Sequence, residues 1–167
     1  GECIVTGHDA EVRDGLAKIS FDLEMSVGAA CRLEYAVNGK GELQVRMDYR
    51  PLKDGLQLIP KVGMRMRIPA EYSQVSWYGR GPHENYPDRK SGYFIGQYSM
   101  PLDEFIFDYA SPQDNANRCD TRWFSLGNGS RDNEIHGLQE LNFRAWPYGE
   151  EDLEGSAHPF DIPARDF

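Results

Sequence analysis

Alternating apolar and polar residues run along most of the chain, and this period of two predicts β-strands. The clearest run covers residues 17–25, where Ile19, Phe21 and Leu23 are separated by hydroxyl and charged side chains. Shorter runs of the same kind predict strands at 33–37, 43–49, 62–68, 75–77, 93–98, 122–126, 135–139 and 141–145. Residues 101–107 suit a strand end or a short helical turn, and only residues 150–157 have a helical pattern.

Turn signals between these runs indicate how the strands connect. Asn38-Gly39 separates two alternating runs, which is a strong hairpin signal because both residue types tolerate positive φ. Asp54-Gly55 and residues 127–130 predict further turns. Roughly nine strands with short connections and almost no helix predict an all-β fold of two packed antiparallel sheets. Because no repeat or linker is visible, residues 1–167 are expected to form one domain, with residues 161–167 beginning a further strand.

Composition excludes several classes of partner. The net charge of −9 and the pI of about 4.9 argue against nucleic acid and anionic membranes, because both need a basic surface. Cys3, Cys31 and Cys119 are an odd number without metal-ligand spacing, so reduced buried thiols are expected and a cytoplasmic location is favoured over a periplasmic one. The four histidines stand singly, which argues against a zinc site. Because the chain starts with Gly1 rather than Met, we expect a processed protein or a piece of a longer one.

The most informative stretch is residues 77–92, Trp-Tyr-Gly-Arg-Gly-Pro-His-Glu-Asn-Tyr-Pro-Asp-Arg-Lys-Ser-Gly. Its mixture of aromatic, charged, Gly and Pro residues predicts a long ordered loop that leaves a strand. Glu84 and Asp88 could supply the two carboxylates that glycoside hydrolysis needs. The favoured interpretation is structural: both bond backbone N–H groups and Arg80 or Arg89, because a single loop rarely supplies both catalytic groups.

A histidine–glutamate pair offers another possible chemistry. His83 and Glu84 could act as acid and base in sugar epimerisation. Adjacent residues on extended backbone point to opposite faces, which disfavours this pairing. The residues by themselves indicate no nucleophile, no metal site and no phosphate-binding loop, so they do not name a function.

A second polar cluster follows Pro112 and consists of Asn115, Asn117, Arg118, Asp120 and Arg122. Such amides and guanidiniums suit sugar hydroxyls, a domain interface, or a loop that packs its own polar groups, and the last is favoured. The three tryptophans, Trp77, Trp123 and Trp146, could stack on a sugar ring. They lie in or beside alternating runs, so most of them are expected in the core.

Two motifs resemble a known family. Residues 77–92 resemble the signature segment of the C-terminal domain of large β-galactosidases of glycoside hydrolase family 2. Residues 111–123, Ser-Pro-Gln-Asp-Asn-Ala-Asn-Arg-Cys-Asp-Thr-Arg-Trp, resemble the family's Pro-Gln-Glu-Asn-Gly-Asn-Arg segment and the strand after it. A weaker resemblance covers residues 143–158, and the hairpin at Asn38-Gly39 also fits. The positions of the structural motif are Trp77, Gly79, Arg80, Gly81, Pro82, Glu84, Tyr86, Asp88, Arg89 and Gly92.

The resemblance implies a fold and a division of labour. The fold would be a large antiparallel β-sandwich similar to galactose mutarotase, incomplete at its C-terminal end. The family's acid/base and nucleophile are two glutamates on a separate (β/α)₈ barrel, which also holds the implied magnesium and sodium ions. We therefore expect no catalytic residue, metal or cofactor in this chain and no activity from it alone. Its expected role is to scaffold the barrel and shape the rim of the sugar pocket, with Asn115, Asn117 and Arg118 as candidate substrate contacts.

The resemblance also implies partners. These are the other domains of a parent β-galactosidase, a galactoside substrate reached through that parent, and further copies of the parent in a homo-oligomer. Three positions depart from the family pattern. Asp114 replaces the usual Glu, Ala116 replaces the usual Gly, and Cys119 replaces a small polar residue. The absent end of the domain should leave an unpaired edge or an uncovered apolar face. The alternatives are a stand-alone carbohydrate-binding module, an aldose epimerase of the same fold, and a purely structural domain that binds no sugar and contacts only other domains.

Overall fold

The computed structural model describes residues 3–55, 61–163 and 165–167. The chain divides into two compact units, Gly1–Met64 and Arg65–Phe167, and each unit holds one four-stranded antiparallel sheet. The predicted all-β class and the predicted pair of antiparallel sheets are therefore confirmed. The similarity to galactose mutarotase and the grouping of the whole chain in one domain stay predictions.

The first unit is a meander in which each strand pairs with the next. Its strands are β1 (Cys3–Arg13), β2 (Leu16–Met25), β3 (Ala29–Asn38) and β4 (Leu43–Pro51). The register places Tyr35 between Ile19 and Val45, so apolar residues of successive strands share one face. On the other face Asp22 lies opposite Arg32, whose Nη1 donates to Asp22 Oδ1 at 2.7 Å. Alternation in the sequence thus produces a sheet with one apolar and one charged face.

Short turns set the register of this meander. Asp14 and Gly15 form the two-residue connection between β1 and β2, with φ values of 52° and 78°. This Asp-Gly pair is a hairpin signal that the strand predictions missed, together with β1 itself. The hairpin at Asn38-Gly39 is confirmed, but the positive φ, 82°, falls on Gly41. Asn38 instead uses its Oδ1 to accept hydrogen bonds from two backbone N–H groups of the loop, at 2.9 and 3.1 Å.

The second unit holds the remaining strands, β5 (Gln74–Gly81), β6 (Phe94–Pro101), β7 (Arg118–Gly127) and β8 (Asp132–Phe143). Their order in the sheet is β6-β5-β7-β8, so β5 and β7 are the central strands. Its helices are α1 (Leu102–Phe105), α2 (Glu150–Gly155) and a 3₁₀ helix (Pro159–Asp161). The helical expectations at 101–107 and 150–157 are confirmed. No helix among the described residues is long and apolar enough to cross a membrane.

The strand predicted at 62–68 is wrong. Residues 61–69 form no regular structure, and the side chains of Val62, Met64 and Met66 are about half exposed. Alternation alone does not make a strand, because a strand also needs a hydrogen-bonding neighbour and a covered face. The turn predicted at Asp54-Gly55 agrees with the positive φ of Gly55, 73°, and the chain that follows it, residues 56–60, lies outside the described residues.

Three further expectations differ from the structure. The runs at 135–139 and 141–145 belong to one strand, β8, so the described residues hold eight strands rather than roughly nine. Residues 161–163 and 165–167 form no strand. All three cysteines are free, as expected, but only Cys31 and Cys119 are buried. Cys3 is exposed because it lies on β1, an edge strand of its sheet that is exposed along nearly its whole length.

Aromatic side chains form the core of the second unit. Trp77 of β5 is fully buried, and Phe105 and Phe143 are also buried. The ring centroids of Trp77 and Phe105 lie 5.4 Å apart in an edge-to-face arrangement, and those of Phe105 and Phe143 lie 5.5 Å apart. Trp77 thus packs inside the core and Trp146 packs against it, whereas Trp123 is half-buried on β7. Core packing, rather than sugar stacking, accounts for Trp77.

Replacing Phe105 by alanine should lower the free energy of unfolding of the second unit by about 3–5 kcal/mol, because it leaves a cavity beside Trp77 and Phe143. Urea unfolding followed by circular dichroism measures the change. The control is Leu138→Ala on β8, where the side chain is 88% exposed and the expected change is below about 0.5 kcal/mol. Equal losses for both variants would contradict the assigned core.

Candidate functional site

Two polar loops meet beside the central strands of the second unit. We call residues 82–93, between β5 and β6, the motif loop, and residues 111–117, before β7, the second polar loop. β5 and β7 are antiparallel neighbours, with Trp77 opposite Phe124. The end of β5 and the start of β7 therefore lie at the same end of the sheet, and the two sequence motifs become one site.

Two glycines allow β5 to approach its neighbours closely. A Cβ at Gly79 would lie 2.6 Å from Thr121 Oγ1 and 2.9 Å from Thr121 Cα on β7. A Cβ at Gly81 would lie 2.7 Å from the ring of Tyr98 and 3.0 Å from that of Trp77. The peptide bond from Gly81 to Pro82 is cis. Side chains at either glycine would force β5 away from these groups, which accounts for the Gly-Arg-Gly step of the motif.

Asn85 joins the two loops through both its backbone and its side chain. Its N–H donates to Asn117 O at 2.8 Å, and Asn117 Nδ2 donates back to Asn85 O at 2.7 Å. Asn85 Oδ1 accepts the N–H of Cys119 at 2.9 Å, and its Nδ2 donates to His83 O at 3.0 Å. The side chain is fully buried. An amide with donors and an acceptor can meet these opposed demands, whereas a carboxylate cannot.

Glu84 connects three separate segments. Its carboxylate accepts hydrogen bonds from Arg89 Nη2 and from the N–H of Ala116, each at 2.7 Å, and from the hydroxyl of Tyr109. The side chain is only 6% exposed. Burial opposes ionisation, but the hydrogen bonds from Arg89, Tyr109 and Ala116 outweigh it and lower the pKa of Glu84. The oxygens of Glu84 are thus engaged inside the fold, as a loop-fixing carboxylate requires.

The partners of the other motif charges differ from those expected. Arg80 Nε donates to Asp120 Oδ2 at 2.5 Å, and Lys90 Nζ donates to Asp120 Oδ1 at 2.6 Å. These two hydrogen bonds lower the pKa of Asp120. The expectation that Asp88 bonds Arg80 or Arg89 is wrong: its carboxylate is exposed and makes no hydrogen bond or ion pair within the described part of the chain. The guanidiniums of Arg80 and Arg89 already have carboxylates that are better buried.

Arg118 is buried without a carboxylate bonded to it. Its side chain is 2% exposed and donates to the carbonyl oxygens of Pro82 and Ala116 at 3.0 Å, and to that of Phe105 at 3.3 Å. The guanidinium carbon also lies 4.0 Å from the ring centroid of Phe105. Burial lowers the pKa of Arg118 to about 10, which still leaves it charged at neutral pH.

The candidate substrate contacts Asn115, Asn117 and Arg118 lie close together in this site, and their polar atoms bond neighbouring groups of the fold. Asn115 is buried, donates to the hydroxyl of Tyr148 at 3.1 Å, and accepts a hydrogen bond from Trp146 Nε1 at 3.2 Å. Asn117 and Arg118 bond the motif loop as described above. Sugar binding by these three residues stays a prediction. His83 is exposed while Glu84 is buried, so the two do not face each other as an acid–base pair would.

We call the region where the motif loop, the second polar loop and the start of β7 meet the junction. The three departures from the family pattern lie in it. Ala116 has a φ of 65°, a conformation that glycine adopts more readily. Asp114 Oδ1 accepts the hydroxyl of Tyr86 at 3.0 Å, and its other oxygen pairs with Arg144. Cys119 is fully buried, and burial raises the pKa of its thiol. Ala116 and Asp114 thus act on local loop geometry.

The described residues do not fit a metal site. Within residues 3–55, 61–163 and 165–167, no group of three or more His, Cys, Asp or Glu side chains is arranged to hold a metal ion. The resemblance assigns its magnesium and sodium ions to the barrel, so no step of the chemistry is assigned to a metal here.

Comparison with known proteins identifies the family. The family described as beta galactosidase small chain matches residues 4–167. The chain belongs to this family. Similar proteins include the β-galactosidases of Priestia megaterium (34% identical over 139 residues), Lactobacillus delbrueckii subsp. bulgaricus (31% over 149) and Vibrio cholerae (30% over 143). These alignments cover 83%, 88% and 86% of this chain but only 13%, 14% and 13% of the relatives' lengths. The small-chain domain is thus a minor part of those proteins.

Sequence reasoning missed several residues of the junction. Tyr109 lies between α1 and the second polar loop, where neither periodicity nor a motif marks it. Lys90 and Asn85 belong to the motif, but a sequence does not show that one bonds Asp120 and the other bonds Asn117. These partners are about 30 residues away along the chain, so only the fold reveals them.

Ala116→Gly should change the free energy of unfolding by less than about 1 kcal/mol. The loss of a buried methyl group and the greater entropy of the unfolded chain both destabilise the variant, and relief of the positive φ at residue 116 offsets them. Urea unfolding monitored by tryptophan fluorescence gives the value. The control Ala145→Gly also touches the core of this unit, has a negative φ and should cost about 1 kcal/mol more. A larger loss for Ala116→Gly than for Ala145→Gly would contradict the strain at Ala116.

Acid should weaken the junction through Asp120. A carboxyl group with a lowered pKa contributes stability above its unfolded pKa of about 4, and this contribution is lost as the pH falls through the folded value. Asp120→Asn should therefore lower the urea midpoint at about pH 7, and its deficit should shrink at about pH 3. The control is Asp88→Asn, which removes an exposed carboxylate of the same loop and should follow the unsubstituted chain at both pH values. A pH-independent deficit for Asp120→Asn would rule out this contribution.

Proposed function

We propose that the small-chain domain is one part of a larger β-galactosidase that hydrolyses terminal β-D-galactosides with retention. The observation that carries the proposal is the match over residues 4–167 to the small-chain family, together with relatives of which it covers only 13–14%. A retaining glycosidase needs two carboxyl groups about 5–5.5 Å apart that face the sugar. We assign those groups to a part of the parent outside this chain.

The proposed role of the domain is to scaffold the catalytic part and to shape the rim of its sugar pocket. The hydrogen bonds of the junction support this role, because Glu84, Asn85 and Arg118 each link the motif loop to the second polar loop. Rigid loops at one end of a sheet are suited to placing contacts on a neighbouring domain. The further partners in this proposal are the other domains of the parent, a galactoside bound through the parent, and additional copies in a homo-oligomer.

The small-chain domain alone should not turn over a chromogenic β-galactoside above the buffer rate, whereas the complete reading frame that contains residues 4–167 should encode an active enzyme. Absorbance of the released nitrophenol measures both rates. Turnover by the purified domain would refute the assignment of catalysis to other parts of the parent. An inactive complete protein that is folded would refute the β-galactosidase function itself.

A further inference from the structure

A small depression opens beside the junction. Its volume is about 370 Å³, which lies at the lower end of the range for small-molecule sites. The depression is lined by six residues of the motif loop, the second polar loop and the segment between α1 and that loop: Tyr86, Asp88, Arg89, Tyr109, Gln113 and Asp114. The lining thus offers carboxylates, a guanidinium and a side-chain amide, all of which can bond hydroxyl groups, together with two aromatic rings.

Several polar groups of this depression are not used by the fold. Arg89 donates only through Nη2, to Glu84 at 2.7 Å and to the hydroxyl of Tyr109 at 3.1 Å. Its Nε and Nη1 have no acceptor among the described residues. The carboxylate of Asp88 and the side-chain amide of Gln113 likewise make no hydrogen bond there. The motif loop and the second polar loop therefore both contribute hydrogen-bonding groups to this depression that the fold does not use.

Arg89 and the two tyrosine rings of the depression are held by contacts with the fold. Arg89 is fixed by the buried Glu84 and lies over the ring of Tyr86, with its guanidinium carbon 4.5 Å from the ring centroid. Tyr86 is fixed in turn because its hydroxyl donates to Asp114 Oδ1 at 3.0 Å. A ligand would meet a preorganised guanidinium edge and two fixed rings, so little of its binding energy would be spent on ordering the protein.

Charge selects the class of ligand. The lining holds two carboxylates and one guanidinium, in a chain of net charge −9, so phosphorylated and other anionic ligands are repelled. The described residues offer no group of three metal-type ligands, so a metal ion does not fit. A neutral ligand with adjacent hydroxyls suits an unpaired carboxylate, an amide and the free edge of a guanidinium, because each can bond two hydroxyls at once. The rings can cover its C–H surface.

We propose that this depression is a binding site for a single neutral pyranose, with Asp88, Arg89 and Gln113 contacting its hydroxyls and Tyr86 and Tyr109 covering its apolar surface. The site goes beyond the proposed function, because the small-chain domain would bind the sugar by itself. Shallow, polar and solvent-open geometry implies weak binding, with a dissociation constant in the millimolar range.

A titration of the ¹⁵N-labelled chain with methyl β-D-galactopyranoside, followed by amide chemical shifts, tests the proposal. We expect saturable shifts confined to residues 86–89, 109 and 113–114. Asp88→Asn and Gln113→Ala should each weaken binding by about tenfold, since each removes hydrogen bonds to the sugar. Neither side chain bonds the rest of the fold, so both variants should keep the spectrum of the original chain elsewhere. The control is Glu154→Gln, an exposed carboxylate outside the depression, which should bind normally.

Galactose 1-phosphate tests the effect of ligand charge in the same experiment. It should bind more weakly than the neutral glycoside, because the carboxylates of the lining repel its phosphate. No saturable shift up to about 50 mM glycoside, shifts in other parts of the chain, or full binding by Asp88→Asn would each overturn the site. These outcomes are independent of the turnover of the complete protein, so failure of the site and failure of the β-galactosidase function are distinguishable.

Discussion

The guanidinium of Arg118 holds together the motif loop, α1 and the second polar loop of the second unit. Burying an isolated charge is expensive unless every donor finds an acceptor. Here the acceptors are backbone carbonyls of three different segments: Pro82 in the motif loop, Phe105 in α1, and Ala116 in the second polar loop. Moving any one segment would leave a buried cation short of a partner. The positions of the two loops and of the helix are therefore interdependent, and the aromatic core beneath them fixes the guanidinium from below.

The same dependence explains why so many charged residues sit in ordered loops. Glu84 and Asp120 each collect two or more donors, so their charges are compensated by bonds that also set the loop conformation. Asn85 serves the junction without charge, since an amide can donate and accept at once. A carboxylate held by this many donors is a poor proton donor and a poor nucleophile. The carboxylates that fix the loops are thus structural groups, and their hydrogen bonds are used to hold the chain rather than a ligand.

Much of the fold could be predicted from the sequence because strand and turn signals act locally. The alternation over 17–25 and the Asn38-Gly39 turn each describe contacts between residues close along the chain. The run at 62–68 shows the limit, because its pattern is that of a strand although no strand in the described part of the chain pairs with it. The ion pairs of the site were harder to predict from the sequence than the strands and turns. Arg80 could choose among several carboxylates, and the choice of Asp120, 40 residues away, depends on how β5 and β7 align.

The two sheets differ in the span of chain that they must close. Successive strands of the first unit are joined by turns of a few residues, so each hairpin can form before the next begins. In the second unit β5 pairs with β7, and the bonds from Asn117 to Asn85 and from Arg118 to Pro82 close loops of 32 and 36 residues. Closing long loops costs entropy before any contact is gained, and it slows folding. The motif that identifies the domain is therefore expected to be among the last parts of the chain to become ordered during synthesis, when the first meander has already formed.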